Sequence, residues 1–291
     1  MEKILSLLLI LQLIFRIPGF SQEKPSWYLG QEPPGDTPEI FAPGMVSIED
    51  KNTHALVISP DGMTMLFSRY PDRTSYILNF ENGEWTGPKE AFFFGKECSF
   101  SSDGNKIFYY TEGDIFYVEK TQEGWSEPVR MGPSINTSQV EFYPCITADG
   151  SLYFCRDGNW KTGRIMVARF NNGVYEEPVD LGLPVNNGGA IHAWISPDES
   201  YLLFNSPREG SHTQNDIWVS FRNPDGSWSE PMNAGEKINS GADAILCPTV
   251  SPDGQYLFFT KLNFKPPKGY VYWVQTDFLE GLRKSVTSNS K

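Results

Sequence analysis

Five copies of a short corner motif constrain the fold of this chain more than any other feature. Each copy has Ser or Thr, a variable residue, Asp and, in four of the five, Gly; the copies lie at residues 59–62, 101–104, 147–150, 196–199 and 251–254. The Asp residues are 42, 46, 49 and 55 positions apart, which suits one four-stranded sheet for each copy. Because Asp-Gly tolerates the positive φ of a tight hairpin, each corner is predicted to join two strands.

The segments around each corner follow one pattern. A short apolar strand precedes the corner, an aromatic-rich strand such as residues 256–259 follows it, and an alternating third strand comes next. Four repeats then show a second hairpin with an aromatic residue, and a proline stands three positions later: Pro88, Pro128, Pro178 and Pro231. Proline is tolerated at the edge of a sheet, so the fourth strand is predicted to be the outermost one.

The fifth repeat lacks such a fourth strand, whereas residues 39–46 form a strand that belongs to no repeat. Placing this N-terminal strand outside the last repeat removes a free edge. The sequence therefore predicts an all-β protein, a five-bladed β-propeller of four-stranded antiparallel blades whose last blade is closed by the N-terminal strand. The expected boundaries are an N-terminal extension at 22–38, one propeller domain at 39–280 and a polar C-terminal tail at 281–291. Three repeats leave through a similar link, at residues 132–136, 182–186 and 235–239.

The run Ser-Pro-Asp-Gly followed by Tyr-Leu-Phe-Phe, at residues 251–259, resembles the repeat of TolB-like β-propellers. Residues 215–231, which lead from Asn-Asp-Ile-Trp-Val to the Asp-Gly-Ser-Trp hairpin and its proline, strengthen the resemblance. It covers residues 54–275. TolB itself has six such blades and a further domain, whereas this chain shows five repeats. The resemblance implies an exported bacterial protein that binds other molecules, and it transfers no ligand, since propellers serve many functions.

The N-terminus is predicted to direct export. Lys3 is followed by an apolar stretch at residues 4–15 and by small residues up to Ser21, the pattern of a cleaved signal peptide at 1–21. A membrane anchor is the alternative, but about 20 apolar residues are needed to span a bilayer. We therefore expect a periplasmic or extracellular protein with no membrane span after cleavage.

The net charge and the positions of the cysteines limit which functional classes suit the chain. The net charge of −12 argues against non-specific binding of nucleic acid, which depends on Lys and Arg facing phosphates. Cys98, Cys145, Cys155 and Cys247 lie inside apolar strand patterns without metal-ligand spacing, so buried free thiols are expected and a disulfide is the alternative.

A ligand site is predicted at the mouth of the central channel, where residues before each inner strand and after each second strand should gather. The predicted ligand-binding residues are Arg69, Glu97, Glu141, Tyr143, Arg156, His192, Trp194 and Lys261. This mixture of acids, bases and aromatics suits a sugar or a peptide terminus. The alternative is that strand ends are polar in any protein.

Catalytic chemistry is the competing interpretation. His192 could be a general base or a metal ligand, but His54 stands seven residues before its corner Asp and His192 six, which would send them to opposite faces of regular strands. Glycosidases need two carboxyl groups, and Glu97, Glu141 and Asp243 come from different repeats. The Asp of each corner repeats in every copy, which indicates that it caps its own turn. No catalytic residue, metal or cofactor is predicted.

The sequence thus favours an exported, non-catalytic binding module of the cell envelope whose partner is a glycan, a peptide or an envelope protein. A carbohydrate-active hydrolase or lyase with its site at the channel mouth is the alternative.

Overall fold

A computed structural model describes residues 27–72 and 74–289; the predicted signal peptide at 1–21 lies outside this range. The chain enters through a two-residue strand, β1 (Glu39–Ile40). Twenty-two further strands follow in five successive antiparallel groups, and one helix ends the described chain.

Each group begins with an inner strand that leads into one of the five corners. The first group contains β2 (Asn52–Ile58), β3 (Thr64–Tyr70), β4 (Thr74–Glu81) and β5 (Glu84–Glu90). The second contains β6 (Lys96–Phe100), β7 (Lys106–Thr111), β8 (Asp114–Thr121), β9 (Gly124–Trp125) and β10 (Val129–Arg130).

The third group contains β11 (Glu141–Ile146), β12 (Leu152–Arg156), β13 (Arg164–Ala168), β14 (Phe170–Asn171), β15 (Val174–Tyr175) and β16 (Val179–Asp180). The fourth contains β17 (Ile191–Ile195), β18 (Tyr201–Ser206), β19 (Asp216–Phe221) and β20 (Met232–Asn233). The fifth contains β21 (Ala244–Val250), β22 (Tyr256–Phe264) and β23 (Pro267–Gln275).

The inner strands pack against one another in order, and β21 of the fifth group packs against β2 of the first. Among the described residues, a single parallel bridge between Asn52 and Gly269 joins the first and fifth groups into one eight-stranded sheet, and no sheet closes on itself. The outer edges of the second and third groups consist of two-residue pieces rather than one continuous fourth strand.

The N-terminal segment pairs with the fifth group as the sequence predicts, although only Glu39–Ile40 of the strand expected at 39–46 is a strand and the residues after it turn away. Ile40 of β1 lies opposite Tyr272 of β23 in antiparallel register. Phe41 N–H then donates to the Val271 carbonyl at 2.8 Å, and Ser47 Oγ accepts from the Val271 N–H at 3.1 Å. The N-terminal segment therefore supplies the outer edge that the fifth repeat lacks.

The same hydrogen bonds recur at the ends of the second, third and fourth groups. There the asparagine that ends the link at 132–136, 182–186 or 235–239 takes the place of Ser47. Asn239 Oδ1 accepts from the Ile217 N–H at 2.9 Å, and its Nδ2 donates back to the Ile217 carbonyl at 2.9 Å. Asn136 and Asn186 bind the third strands of the second and third groups in the same way. Each asparagine thus supplies the acceptor for a strand N–H, while the carbonyl of the same strand residue also accepts from a backbone N–H of the outer segment.

The corners confirm the structural interpretation of their Asp residues. Ser101 Oγ donates to Asp103 Oδ1 at 2.6 Å and accepts from the Lys106 N–H at 2.8 Å, and Asp103 also accepts from the Asn105 N–H. The other three Ser corners repeat these contacts, and the Thr147 corner keeps the two contacts to its Asp149. The carboxylates are therefore engaged in holding the turns.

The C-terminal residues depart from the polar tail expected at 281–291. A helix, α1 (Phe278–Asn289), packs Phe278, Leu279 and Leu282 against the core between the fourth and fifth groups. At the corresponding place in the other groups an aromatic residue of the second hairpin packs inward, as Trp228 and Trp125 do. The fifth group has no second hairpin, so the helix covers the apolar surface instead.

Candidate functional site

Five residues at equivalent positions form a ring around the axis of the inner strands. Ala55, Glu97, Tyr143, His192 and Cys247, called here the inner ring, each stand six positions before their corner Asp. All five have positive φ, between 49° and 56°, and all five are buried. A register shift accompanies each one, as between Ile191 and Trp194.

The left-handed backbone has a cost, because a Cβ crowds the following carbonyl there. Such residues persist where the surroundings impose them, and they cluster at functional sites. The five side chains differ at every position although the backbone repeats. The repeated bulge is therefore a property of the fold, and the inward-facing chemistry is particular to each group.

Glu97 is the least satisfied member of the inner ring. Its Oε1 lies 3.6 Å from Lys96 Nζ, whereas its buried Oε2 has no hydrogen-bond partner among the described residues. Burial raises the pKa of this carboxyl group, and Lys96 opposes that effect. Glu97 therefore tends to keep its proton at a pH where an exposed glutamate would lose it.

His192 is held in one tautomer by Asn205. Asn205 Nδ2 donates to the Ile245 carbonyl at 2.7 Å, and Asn205 Oδ1 accepts from the Cys247 N–H at 2.9 Å. Since Oδ1 is the acceptor, His192 Nδ1, 3.3 Å away, carries the proton. The Nε2 of His192 then presents a lone pair.

The two histidines occupy different positions relative to the inner ring: His192 is a member of it, and His54 directly precedes its member Ala55. Burial, followed by the neighbouring His54, lowers the pKa of His192 to about 3. Burial and Lys96 lower the pKa of His54 to about 4, although one edge of His54 remains partly exposed. A register shift between His54 and Val57 interrupts the alternation of β2, so the spacing of regular strands does not apply to these two histidines.

Tyr143 crosses from the third group towards the fifth. Its hydroxyl donates to the Pro248 carbonyl at 3.1 Å, and its ring centroid lies 5.0 Å from that of His192. Burial raises the pKa of this phenol well above its ordinary value. Tyr143 thus links the third group of the inner ring to the fourth and fifth groups.

The predicted cations bind the links between groups rather than one another. Arg69 Nη2 donates to the Met45 carbonyl at 2.7 Å, Arg156 Nη2 to that of Ile135 at 3.1 Å, and Lys261 Nζ to that of Ser240 at 2.7 Å. Arg208, which sequence reasoning missed, does the same with the Val185 carbonyl at 2.6 Å. Arg208 follows the second strand of the fourth group, so its position in the repeat could have identified it as an equivalent of the predicted cations.

Glu141 is fully buried, and its carboxylate contacts one of these cations and a residue beside a link. It accepts from Arg156 Nε at 2.9 Å and from the Thr137 hydroxyl at 2.6 Å. The predicted mouth residues therefore separate into two sets: Glu97, Tyr143 and His192 meet in the inner ring, and Arg69, Glu141, Arg156 and Lys261 engage the links.

Trp194 lies on the other side of the inner ring, in a cavity among the corners. This corner cavity has a volume of about 500 Å³ and takes wall residues from all five groups. Its deeper walls are Val57, Phe100, Ile146, Trp194, Tyr201 and Val250. Trp194 and Tyr201 have ring centroids 5.5 Å apart, so one wall is aromatic.

The described part of the chain contains neither a cluster of metal-ligating side chains nor a helix that could span a membrane. Among those residues, no group of three His, Cys, Asp or Glu side chains is placed to hold a metal ion. The one described helix is too short and too polar to cross a membrane. The four thiols are buried, and burial raises the pKa of Cys98 to about 12.

Comparisons with known proteins find a likeness in structure only. No protein-family model matches the sequence, and no curated protein sequence does. Solved structures that resemble the chain include TolB of Agrobacterium tumefaciens, at 21% identity and a TM-score of 0.49 over 74% of this chain and 72% of that one. TolB of Acinetobacter baumannii is 14% identical with a TM-score of 0.49; the match covers 79% of this chain and 58% of that protein.

A protein described as a gluconolactonase also resembles the chain, at 13% identity and a TM-score of 0.47, over 84% of this chain and 93% of that one. The resemblance to TolB-like β-propellers that the corner sequences predict is thus found again among solved structures. These likenesses concern the chain trace and assign no ligand or activity to this protein.

Proposed function

We propose that the chain is an exported, non-catalytic binding module, a ring of five four-stranded blades that receives a segment of another protein in the corner cavity. The ring is supported by the order of inner-strand contacts, in which β21 returns to β2. Export is supported by Lys3 and the apolar stretch at residues 4–15.

The observation that carries the proposal is the make-up of the corner cavity. Every group contributes to it, and its volume of about 500 Å³ falls within the ~300–1,000 Å³ common for binding pockets. Apolar and aromatic side chains form its walls, while Ser101, Ser196 and Ser251 line it near the corners. An apolar side chain of a partner fits such a cavity; the hydroxyls of Ser101, Ser196 and Ser251 already donate to their corner Asp residues, so the apolar and aromatic walls supply the affinity.

The negative charge around the corner cavity indicates which residues should flank the anchor of the partner segment. The corner carboxylates of Asp61, Asp103, Asp149, Asp198 and Asp253 are all exposed. The corners that carry them surround the cavity, and Asp198 is the one charged residue among its lining residues. A surface of one sign attracts the opposite charge. We therefore expect an apolar or aromatic anchor next to Lys or Arg.

Selection from a random peptide library on the exported, purified chain tests this proposal. Selected peptides should share an aromatic or aliphatic anchor beside basic residues, and their binding should weaken as salt rises. The Trp194→Ala variant should weaken a selected synthetic peptide by about tenfold or more, since aromatic anchors dominate such interfaces.

Phe92→Ala is the matched control, because Phe92 is half exposed and does not line the corner cavity. It should bind the peptide as the unmodified chain does. Peptides without an anchor, or an affinity that Trp194→Ala leaves unchanged, would contradict the proposal.

A hydrolase or lyase centred on the inner ring is the second candidate. Glu97 with its raised pKa, the free Nε2 of His192 and the strained backbone are features of catalytic sites. Against a glycosidase, Glu141 is paired with Arg156, and Asp243 accepts from the Phe264 N–H at 2.7 Å. A two-carboxyl mechanism would therefore lack its second group.

A turnover screen on chromogenic glycosides and polyuronates separates the two candidates. Activity that Glu97→Gln or His192→Asn abolishes, with the fold retained, would replace the binding proposal by the enzymatic one. For a binding module we expect no turnover with either the unmodified chain or the variants.

A further inference from the structure

We propose a second binding site, for a neutral saccharide, in a groove between the second and third groups. This aromatic groove has a volume of about 470 Å³. Phe108, Tyr117, Met131, Phe170 and Tyr175 form its apolar surface. It lies on the outer side of the corners, apart from the inner ring.

Two aromatic pairs, one from each group, face the groove. The ring centroids of Phe108 and Tyr117 are 5.7 Å apart, and those of Phe170 and Tyr175 are 4.9 Å apart. The negative faces of aromatic rings attract polarised C–H groups. The C–H faces of a pyranose ring offer such groups, so a sugar can lie against either pair.

The phenol hydroxyls of the groove are free to bind a ligand. Among the described residues, neither Tyr117 nor Tyr175 donates or accepts a side-chain hydrogen bond. Burial, followed by the neighbouring Tyr117, raises the pKa of the Tyr175 phenol, so that it stays a neutral donor. Two such hydroxyls beside apolar ring faces match the alternation of hydroxyl and C–H surface on a sugar.

The charged residues around the groove are already paired, which favours a neutral ligand. Arg130 makes two contacts with Asp114, at 2.6 and 3.0 Å. Lys106 Nζ lies 3.5 Å from Glu119 Oε1 and 5.1 Å from the Tyr117 ring centroid. Asp103 accepts from its corner hydroxyl and backbone. A phosphate or carboxylate would therefore find no unpaired cation here.

At the aromatic groove the second-hairpin residue Tyr175 packs against the core between the second and third groups and leaves an open surface beside it, whereas two other junctions are covered by additional segments of the chain. Residues 27–29 pack over the core between the fifth and first groups, and α1 over that between the fourth and fifth. At the aromatic groove Phe170 is 38% exposed and Val129 40% exposed. An open aromatic surface beside unpartnered hydroxyls is a common feature of ligand sites.

The experiment is a titration of the purified chain with soluble neutral gluco-, manno-, xylo- and chito-oligosaccharides, followed by calorimetry and saturation-transfer NMR. We expect at least one series to bind. Phe170→Ala, and separately the double variant Tyr117→Phe with Tyr175→Phe, should each weaken it by about tenfold, as expected for lost ring contact or two lost hydrogen bonds.

Two controls make the result specific. Tyr70→Phe removes a hydroxyl from a half-exposed tyrosine outside the groove, and Trp194→Ala alters the corner cavity; both should bind the saccharide unchanged. The Tyr→Phe variants keep their rings, so their melting temperatures should match that of the unmodified chain. Absence of binding by every series, binding by acidic oligosaccharides alone, or binding that the groove variants leave unchanged would overturn the proposal.

Discussion

Replacing His192 with Asn should reduce the dependence of stability on pH. His192 is 8% exposed, and its pKa of about 3 lies below the ordinary 6.5. Below pH 6.5 the unfolded chain binds a proton at this position that the folded chain does not, so the histidine destabilises the fold as pH falls. The stability present above pH 6.5 is lost progressively down to about pH 3.

The magnitude follows from the interval between the two pKa values. At pH 5.0 the unfolded histidine is protonated and the folded one is neutral, and each pH unit below 6.5 corresponds to ~1.4 kcal/mol. The free energy of unfolding should therefore fall by about 2 kcal/mol between pH 7.5 and pH 5.0 through His192 alone. Glu97 acts in the opposite direction because its pKa is raised, so the comparison must be with the unmodified chain.

Asn is the suitable replacement because it removes the titration with little other change. The φ of His192 is 49°, and Asn is among the residues that tolerate this left-handed region best. Its amide can also donate towards Asn205 Oδ1. Urea unfolding at pH 7.5 and 5.0 should show a pH-dependent loss smaller by about 2 kcal/mol in His192→Asn. An identical loss in both proteins would refute the burial of a neutral His192.

Three further predictions test the rest of the architecture. Asn239→Ala should lower the free energy of unfolding by about 2 kcal/mol, because it leaves the buried Ile217 N–H without an acceptor, although the Ile217 carbonyl keeps the Ala234 N–H. Asn223→Ala removes one side-chain hydrogen bond to Ser227 at the surface and should stay within ~0.5 kcal/mol in urea unfolding. A chain that ends at Asp277 should lose roughly 3 kcal/mol or more and bind a hydrophobic dye, since α1 covers the core between the fourth and fifth groups; an unchanged melting temperature would contradict the role of the helix. The four buried thiols should react with Ellman's reagent only after unfolding, because burial keeps them protonated; rapid reaction of the native protein would contradict this.

The sequence predicted the repeating elements well because their physical causes are local. The corner hydroxyl and carboxylate bind within six residues, as from Ser251 to Tyr256, and the strand patterns beside them alternate with period two. The pairing of β1 with β23 could also be predicted, since one repeat lacked an edge and one strand lacked a repeat. The helix α1 could not, because its apolar residues are few and only the uncovered core gives them a partner.

The candidate site was predicted in part, and its geometry explains why. Positions before the corners did identify Glu97, Tyr143 and His192, but the spacing assumed regular strands. The left-handed residue in each inner strand changes which side chains face the axis. The cations after the second strands were predicted at one mouth, whereas each binds the carbonyls of its own link. Such contacts depend on the path of the link, which no local pattern specifies.

The internal repeats themselves separate structural residues from functional ones. Positions that repeat in chemistry, such as the corner Asp and the link Asn, make the same hydrogen bonds each time, so the fold accounts for them fully. Positions that repeat in backbone but differ in chemistry need another cause. Glu199 replaces a corner Gly at a φ of 58° and binds Tyr153 and Arg169 of the preceding group, which accounts for its side chain. Among the described residues, one carboxyl oxygen of Glu97 in the inner ring and the two phenols of the aromatic groove have no such internal partner. The Glu97 oxygen is buried, whereas the phenols line an open groove, and there we propose that a molecule other than this chain supplies the contacts.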